Sequence, residues 1–223
     1  MEKQELKHFE LNDIRTFGRR HGKKLSNRKQ NLMENLLSKI APDFKEIAEH
    51  RTILEIGFGN GEHLRELAIK NPDSIIVGAE PFANGVAALL SAITNESDNT
   101  VLDEYKNIRV FPDDVRIMMK DFENICFDEI WILHPDPWPK ARHEKRRLLN
   151  HEFLNMLSNH IGQKGEIIIG TDHWEYYDWI IEQLKQTKLC IKSTEINVIQ
   201  TRYQIKNKAG TSAPKYLILS NNQ

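Results

Sequence analysis

Between residues 52 and 186, short apolar runs alternate with stretches whose apolar residues recur at helical spacing, and this alternation admits few folds. Thr52–Ile56 reads as a strand and Glu62–Lys70 as a helix; residues 74–79 read as a strand, followed by a helix through Val86, Leu89, Leu90 and Ile93. Ile108–Phe111 and Phe127–Leu133 are two more strands, with a helix over 115–122 between them. Residues 147–160, 165–170 and 174–186 then predict helix, strand and helix. Parallel neighbours need a helix-length crossover, so this order predicts a parallel sheet covered on both faces. Leu189–Ser193 and residues 215–220 are strand-like with no helix between them, which predicts an antiparallel hairpin at one edge. The expected architecture is therefore α/β, a mostly parallel seven-stranded sheet with an antiparallel C-terminal hairpin.

Open sheets of this kind bind ligands beyond the C-terminal ends of their strands. The first strand runs into Gly57-Phe58-Gly59-Asn60-Gly61-Glu62, a turn that opens a helix. Glycines allow the tight turn and the close backbone approach that a nucleotide needs. Glu80 ends the second strand, at the spacing of a carboxylate that grips ribose hydroxyls. The alternative ligand is a nicotinamide dinucleotide, but Glu62 stands where that fold keeps its third small residue. Glu55 precedes the turn and Asp113 and Asp114 follow the third strand. Such a collar of carboxylates repels a pyrophosphate and suits an adenosine ligand with cationic groups, S-adenosyl-L-methionine (SAM). Asp114 is also placed to cap the next helix, with Asp113 as the alternative cofactor contact.

The fourth strand ends in His134-Pro135-Asp136-Pro137-Trp138-Pro139-Lys140. Each proline fixes its own φ and pushes the residue before it out of the helical region, so the segment is a stiff extended loop. It presents a carboxylate, an aromatic and an ammonium at the active edge. Trp138 is expected to plug the core, with a stacking face as the alternative. A basic run follows: Arg142, Lys145, Arg146 and Arg147 beside the single acid Glu144. A second basic stretch lies in residues 1–30, where Arg15, Arg19, Arg20, Lys23, Lys24, Arg28 and Lys29 alternate with glycines; it reads as a flexible arm ahead of one domain over 31–223. Ser26 or Asn27 is expected to cap a helix carrying Met33, Leu36, Leu37 and Ile40, ended by Pro42.

Composition decides how nucleic acid could be held. Lys plus Arg number 31 and Asp plus Glu 32, so affinity for phosphate must come from local patches. Cys126 and Cys190 show no metal or redox spacing and are expected to be reduced core residues, which fits a cytoplasmic protein. The histidines show no metal-ligand spacing, and no apolar run reaches membrane-spanning length, so no metal and no membrane are expected.

The glycine turn, Glu80, the loop at 134–140 with its basic tail, Gly170-Thr-Asp-His173 and Thr201-Arg-Tyr-Gln204 together resemble the bacterial tRNA (guanine-N7-)-methyltransferases, from about residue 15 onward. The resemblance implies a Rossmann-like SAM-dependent fold and methylation of guanine N7 in tRNA, at position 46 of the variable loop. Glu55, Gly57, Gly59, Gly61, Glu80, Asp113, Asp114 and Asp136 would hold the cofactor, and Asp136 would be catalytic. Lys140, Asp172, Thr201, Arg202, Tyr203 and Gln204 would contact the substrate. Arg142, Lys145, Arg146 and Arg147 would meet the RNA, and Asp172 has helix capping as its alternative role. The family pattern ends its last motif with Glu where this chain has Gln204, an amide that cannot form the same charge-assisted pair.

Competing readings are a methyltransferase of the same fold with another substrate, and a non-catalytic tRNA-binding subunit. The basic arm counts against the first and the intact acids against the second. The partner is expected to be tRNA, the protein itself a monomer or homodimer.

Overall fold

The computed structural model describes residues 16–18, 20–195 and 213–222. Its strands are β1 (Thr52–Ile56), β2 (Ile75–Ala79), β3 (Ile108–Phe111), β4 (Phe127–Leu133), β5 (Ile161–Thr171), β6 (Leu189–Ser193) and β7 (Lys215–Asn221). Its α-helices are α1 (Asn27–Asn35), α2 (Phe44–Glu49), α3 (Glu62–Lys70), α4 (Ala83–Ala92), α5 (Val115–Asp121), α6 (His151–Asn159) and α7 (Trp174–Leu184). The strands form one seven-stranded sheet in the order β3-β2-β1-β4-β5-β7-β6. Pairs from β3 through β5 are parallel, while β7 runs antiparallel between β5 and β6.

Every residue of β1 and β2 is buried, as expected of central strands with helices on both faces. Successive side chains point to opposite faces and so enter different cores. Leu54, Ile56 and Val77 join Ile130, Ile167, Phe153, Leu157 and Ile180 on one face. Ile53 and Ile76 join Leu64, Leu67, Val86, Leu89, Leu90 and Leu32 on the other. Burying each such side chain contributes about 1.5–3 kcal/mol before entropy is counted. Chain order reverses between β1 and β4, so their C-terminal ends diverge and leave a crevice there.

Several local expectations need correction. The helix expected over 147–160 starts only at His151, because the Asn150 side chain accepts from Phe153 N and caps it there. Residues Ala141–Arg146 form 3₁₀ turns and Arg147 is extended. The fifth strand, expected over 165–170, begins at Ile161; its pairing with β4 is broken by a bulge that absorbs the polar residues. Helix α2 went unread because it is a single six-residue segment; Asp43 caps it by accepting from Glu46 N at 2.9 Å. Ser26 is the cap of α1. Cys126 is exposed and Cys190 half-buried, both as free thiols, so neither is a core residue.

Of the basic stretch at 1–30, the described part lies against the domain. Arg28 reaches Ser91, Thr94 and Asn99, and Gly22 N donates to Asn84. Arg15 and Arg19 lie outside the described residues.

Candidate active site

The turn after β1 holds three glycines at positive φ: Gly57 at 76°, Gly59 at 57° and Gly61 at 73°. Only glycine takes that conformation without strain. A Cβ on Gly57 or Gly59 would meet nothing within 4 Å, so the backbone there is open to a ligand. A Cβ on Gly61 would sit 2.5 Å from Leu89 Cδ1 of α4, so this glycine serves helix packing. Gly85, also in α4, was missed from the sequence: a Cβ there would lie 2.4 Å from the Gly59 carbonyl oxygen. A glycine inside a helix costs roughly 1 kcal/mol against alanine, a signal that could have found it.

Glu80, at the end of β2, closes over this turn. One carboxylate oxygen accepts from Gly59 N and the other from Phe82 N, each at 2.8 Å. Burial pushes its carboxyl up; the two backbone hydrogen bonds oppose this, the negative charges of Glu55 and Asp136 add to it, and the pKa is raised. Glu55 is buried behind the turn, 3.3 Å from His63 Nδ1, and is not among the cavity-lining residues. His63 in turn lies against Trp131, with ring centroids 4.8 Å apart.

The two acids after β3 separate in role. Asp114 lines the cavity and caps α5, accepting from Arg116 N. It also accepts from Thr16 Oγ1 and from the Arg116 guanidinium, each at 2.7 Å. Burial pushes its carboxyl up, but Arg116 and Thr16 outweigh burial and hold the pKa down. Asp113 is more exposed, pairs with Arg20, and is not among the cavity-lining residues.

The proline loop supplies the opposite wall. His134 and Trp138 adopt positive φ, 50° and 43°, a strain of roughly 1–3 kcal/mol per residue. Three contacts hold it. His134 N donates to Gly170 O at 2.7 Å. Arg147 Nε donates to Pro137 O at 2.9 Å, and its guanidinium lies over the Trp179 and Tyr176 rings, 5.0 and 5.5 Å from their centroids. Arg147 is only 4% exposed, so it braces the loop from inside and is not presented to RNA as expected. Trp138 is half-buried against the cavity, not the core plug expected: its ring lies beside the Arg146 guanidinium at the cavity wall.

Asp136 is exposed at the cavity wall. Lys140, Arg142 and Lys145 are exposed, of which Lys145 lines the cavity, and Arg146 is half-buried and lines it too. Asp172 does not cap α7; His173 does, its side chain accepting from Tyr176 N. Asp172 instead faces His134, 3.6 Å from its Nδ1. Burial pushes the His134 pKa down, partly opposed by Asp172. Thr201, Arg202, Tyr203 and Gln204 lie outside the described residues.

The cavity enclosed by these walls measures 380 Å³ and is lined by Gly57, Glu80, Asp114, Asp136, Trp138 and Arg146, among others. That is the size range of small-molecule sites. Thr16, Phe17 and Gly18 complete its rim, a contribution the sequence reading did not assign.

Residues 49–213 match the methyltransferase family whose model is described as "Putative methyltransferase". A tRNA (guanine-N(7)-)-methyltransferase of Caulobacter vibrioides is 33% identical over 92% of this chain and 93% of its own length. The chain belongs to the tRNA (guanine-N7)-methyltransferase family. Another member, from Wolbachia pipientis wMel, is 41% identical over 62% of this chain and 60% of its own length. Among solved structures, a 16S rRNA methyltransferase, KamB, superposes with a TM-score of 0.58 at 11% identity, covering 82% of this chain and 95% of that one. That likeness is one of fold: a Rossmann-like methyltransferase sheet.

The cavity fits the cofactor of such a family. The Glu80 carboxylate, at the cavity edge, could accept from ribose hydroxyls, and the backbone at Gly57 and Gly59 leaves room beside it. Glu80, Asp114 and Asp136 supply negative charge for an ammonium and a sulfonium. Among the described residues, no group of His, Cys, Asp and Glu is arranged to hold a metal ion, and no helix is long and apolar enough to cross a membrane.

Proposed function

We propose that this chain methylates N7 of a guanine in tRNA, using SAM, and that the target lies in the variable loop at position 46. The observation that carries the reading is Asp136, on a braced and strained loop, lining the same cavity as Glu80 and the open glycine turn. When bound, SAM supplies an activated methyl group on a sulfonium.

Guanine N7 has a free lone pair at neutral pH, so attack requires no general base. The protein's task is alignment and charge stabilisation. Asp136 accepts hydrogen bonds from guanine N1–H and the exocyclic amine, orienting N7 into the cavity. Its negative charge also stabilises the positive charge that methylation leaves on the purine. The Arg147 brace keeps that carboxylate from drifting, because Pro137 O is held one residue away. Asp172 and Lys140 orient the base or its phosphate, Trp138 offers a face for stacking, and the exposed cations Arg142 and Lys145 position the RNA backbone. The base must leave its stack to reach the crevice. The cytoplasm, where tRNA is modified, is the proposed location.

The test is methyl transfer from labelled SAM to unmodified tRNA, with nucleoside analysis. Wild type should yield N7-methylguanosine, and Asp136→Ala should reduce it by roughly 100-fold or more, the scale of removing one transition-state contact. Label in a different nucleoside would refute the N7 assignment.

A further inference from the structure

The cavity is lined by three acids, Glu80, Asp114 and Asp136, and by four cations, Arg116, Lys145, Arg146 and Arg147, and SAM carries one anionic group, the α-carboxylate of its methionine part. Glu80, Asp114 and Asp136 attract the ammonium and sulfonium and repel that carboxylate. A cation directed inward would offset that repulsion and hold the carboxylate. Arg116 is consumed by Asp114, and Arg147 by Pro137 O. Lys145 is exposed to water. Arg146 is different: it is half-buried, it lines the cavity, and its Nε is buried with no hydrogen-bond partner among the described residues. Its guanidinium lies 5.0 Å from the Trp138 ring centroid and 5.5 Å from that of Phe17, two apolar faces that exclude water. A guanidinium whose Nε is shut off from water without a hydrogen-bond partner is poised for an anion, and its fork matches a carboxylate.

We infer that Arg146 binds the methionine carboxylate of SAM, clamped in place by Phe17 and Trp138. This rests on the cofactor reading above. It separates the basic run by burial: the exposed Lys140, Arg142 and Lys145 meet the RNA backbone, and Arg146 meets the cofactor. It also gives the contact between the Trp138 ring and the guanidinium a purpose.

The test compares calorimetric binding of SAM with that of decarboxylated SAM, which lacks only this group. Wild type should bind SAM roughly ten- to hundredfold more tightly, the scale of hydrogen bonds to a charged group. In Arg146→Met the two ligands should bind alike, with decarboxylated SAM bound as in wild type. That second affinity doubles as a check that the cavity is intact. Arg146→Gln is read the same way should the methionine variant fail to fold. If either folded variant keeps the wild-type ratio, the inference is overturned. It is equally overturned if SAM affinity is untouched while the KM for tRNA rises, which would return Arg146 to the RNA. A wild-type protein that binds neither ligand would instead refute the cofactor reading itself.

Discussion

Replacing Arg147 with methionine keeps a long apolar stem and removes only the guanidinium. In the native protein that group donates to Pro137 O at 2.9 Å and lies over two aromatic rings. Losing a charge-assisted hydrogen bond costs about 1.5–3 kcal/mol, and losing a partly desolvated cation–π contact about 1 kcal/mol. The methionine stem recovers some contact with Tyr176 and Trp179, so a net loss of about 2–3 kcal/mol is expected. The ion pair with Glu144, at 3.6 Å to a half-exposed partner, adds little. For a chain of this length the loss corresponds to a fall in Tm of roughly 5–10 °C. The strained loop loses its brace, so kcat should also fall while SAM affinity changes little. Calorimetric unfolding of Arg147→Met beside the exposed Arg142→Met checks this. The latter should unfold like wild type and raise only the KM for tRNA. An Arg147→Met protein with wild-type Tm and a defect confined to tRNA binding would refute the brace and make Arg147 an RNA contact.

Gly85→Ala would press a methyl onto the Gly59 carbonyl, so SAM should bind at least tenfold more weakly, while helix propensity offsets part of the stability cost; unchanged affinity in an equilibrium titration would contradict the packing argument. Glu80→Gln should weaken SAM roughly ten- to hundredfold, because an amide replaces the charged acceptor and leaves either Gly59 N–H or Phe82 N–H facing a donor; isothermal titration reads this directly. His160 is buried, with Nδ1 3.0 Å from Ile125 O, and burial holds its pKa below the usual 6.5. The unfolded chain therefore takes up its proton first as the medium is acidified, and His160's contribution to stability, full above about pH 6.5, declines below it. Tm measured from pH 8 to pH 5.5 should fall less steeply in His160→Asn than in wild type.

Periodicity alone determined the strands of the sheet. Helix-length connections between apolar runs favour parallel strands, and the absence of a helix between Leu189–Ser193 and residues 215–220 pointed to the antiparallel pair, while the strand order, in which β3 and β4 are not neighbours, was not legible. The glycine turn and Glu80 were legible for the same reason, since both sit at fixed chain distance from a strand end. What a side chain faces was not legible, because it depends on contacts between residues far apart in the chain. Arg146 and Arg147 are adjacent and chemically identical. Yet one meets the cavity between Phe17 and Trp138, and the other is buried against Tyr176 and Trp179 of α7. Asp113 and Asp114 divide likewise, the first toward Arg20 and the second into the cap of α5 and the cavity. Local pattern sets which element a residue joins; only the packing of α4, α7 and the segment at 16–18 around the β1–β4 crevice decides which neighbours share its charge.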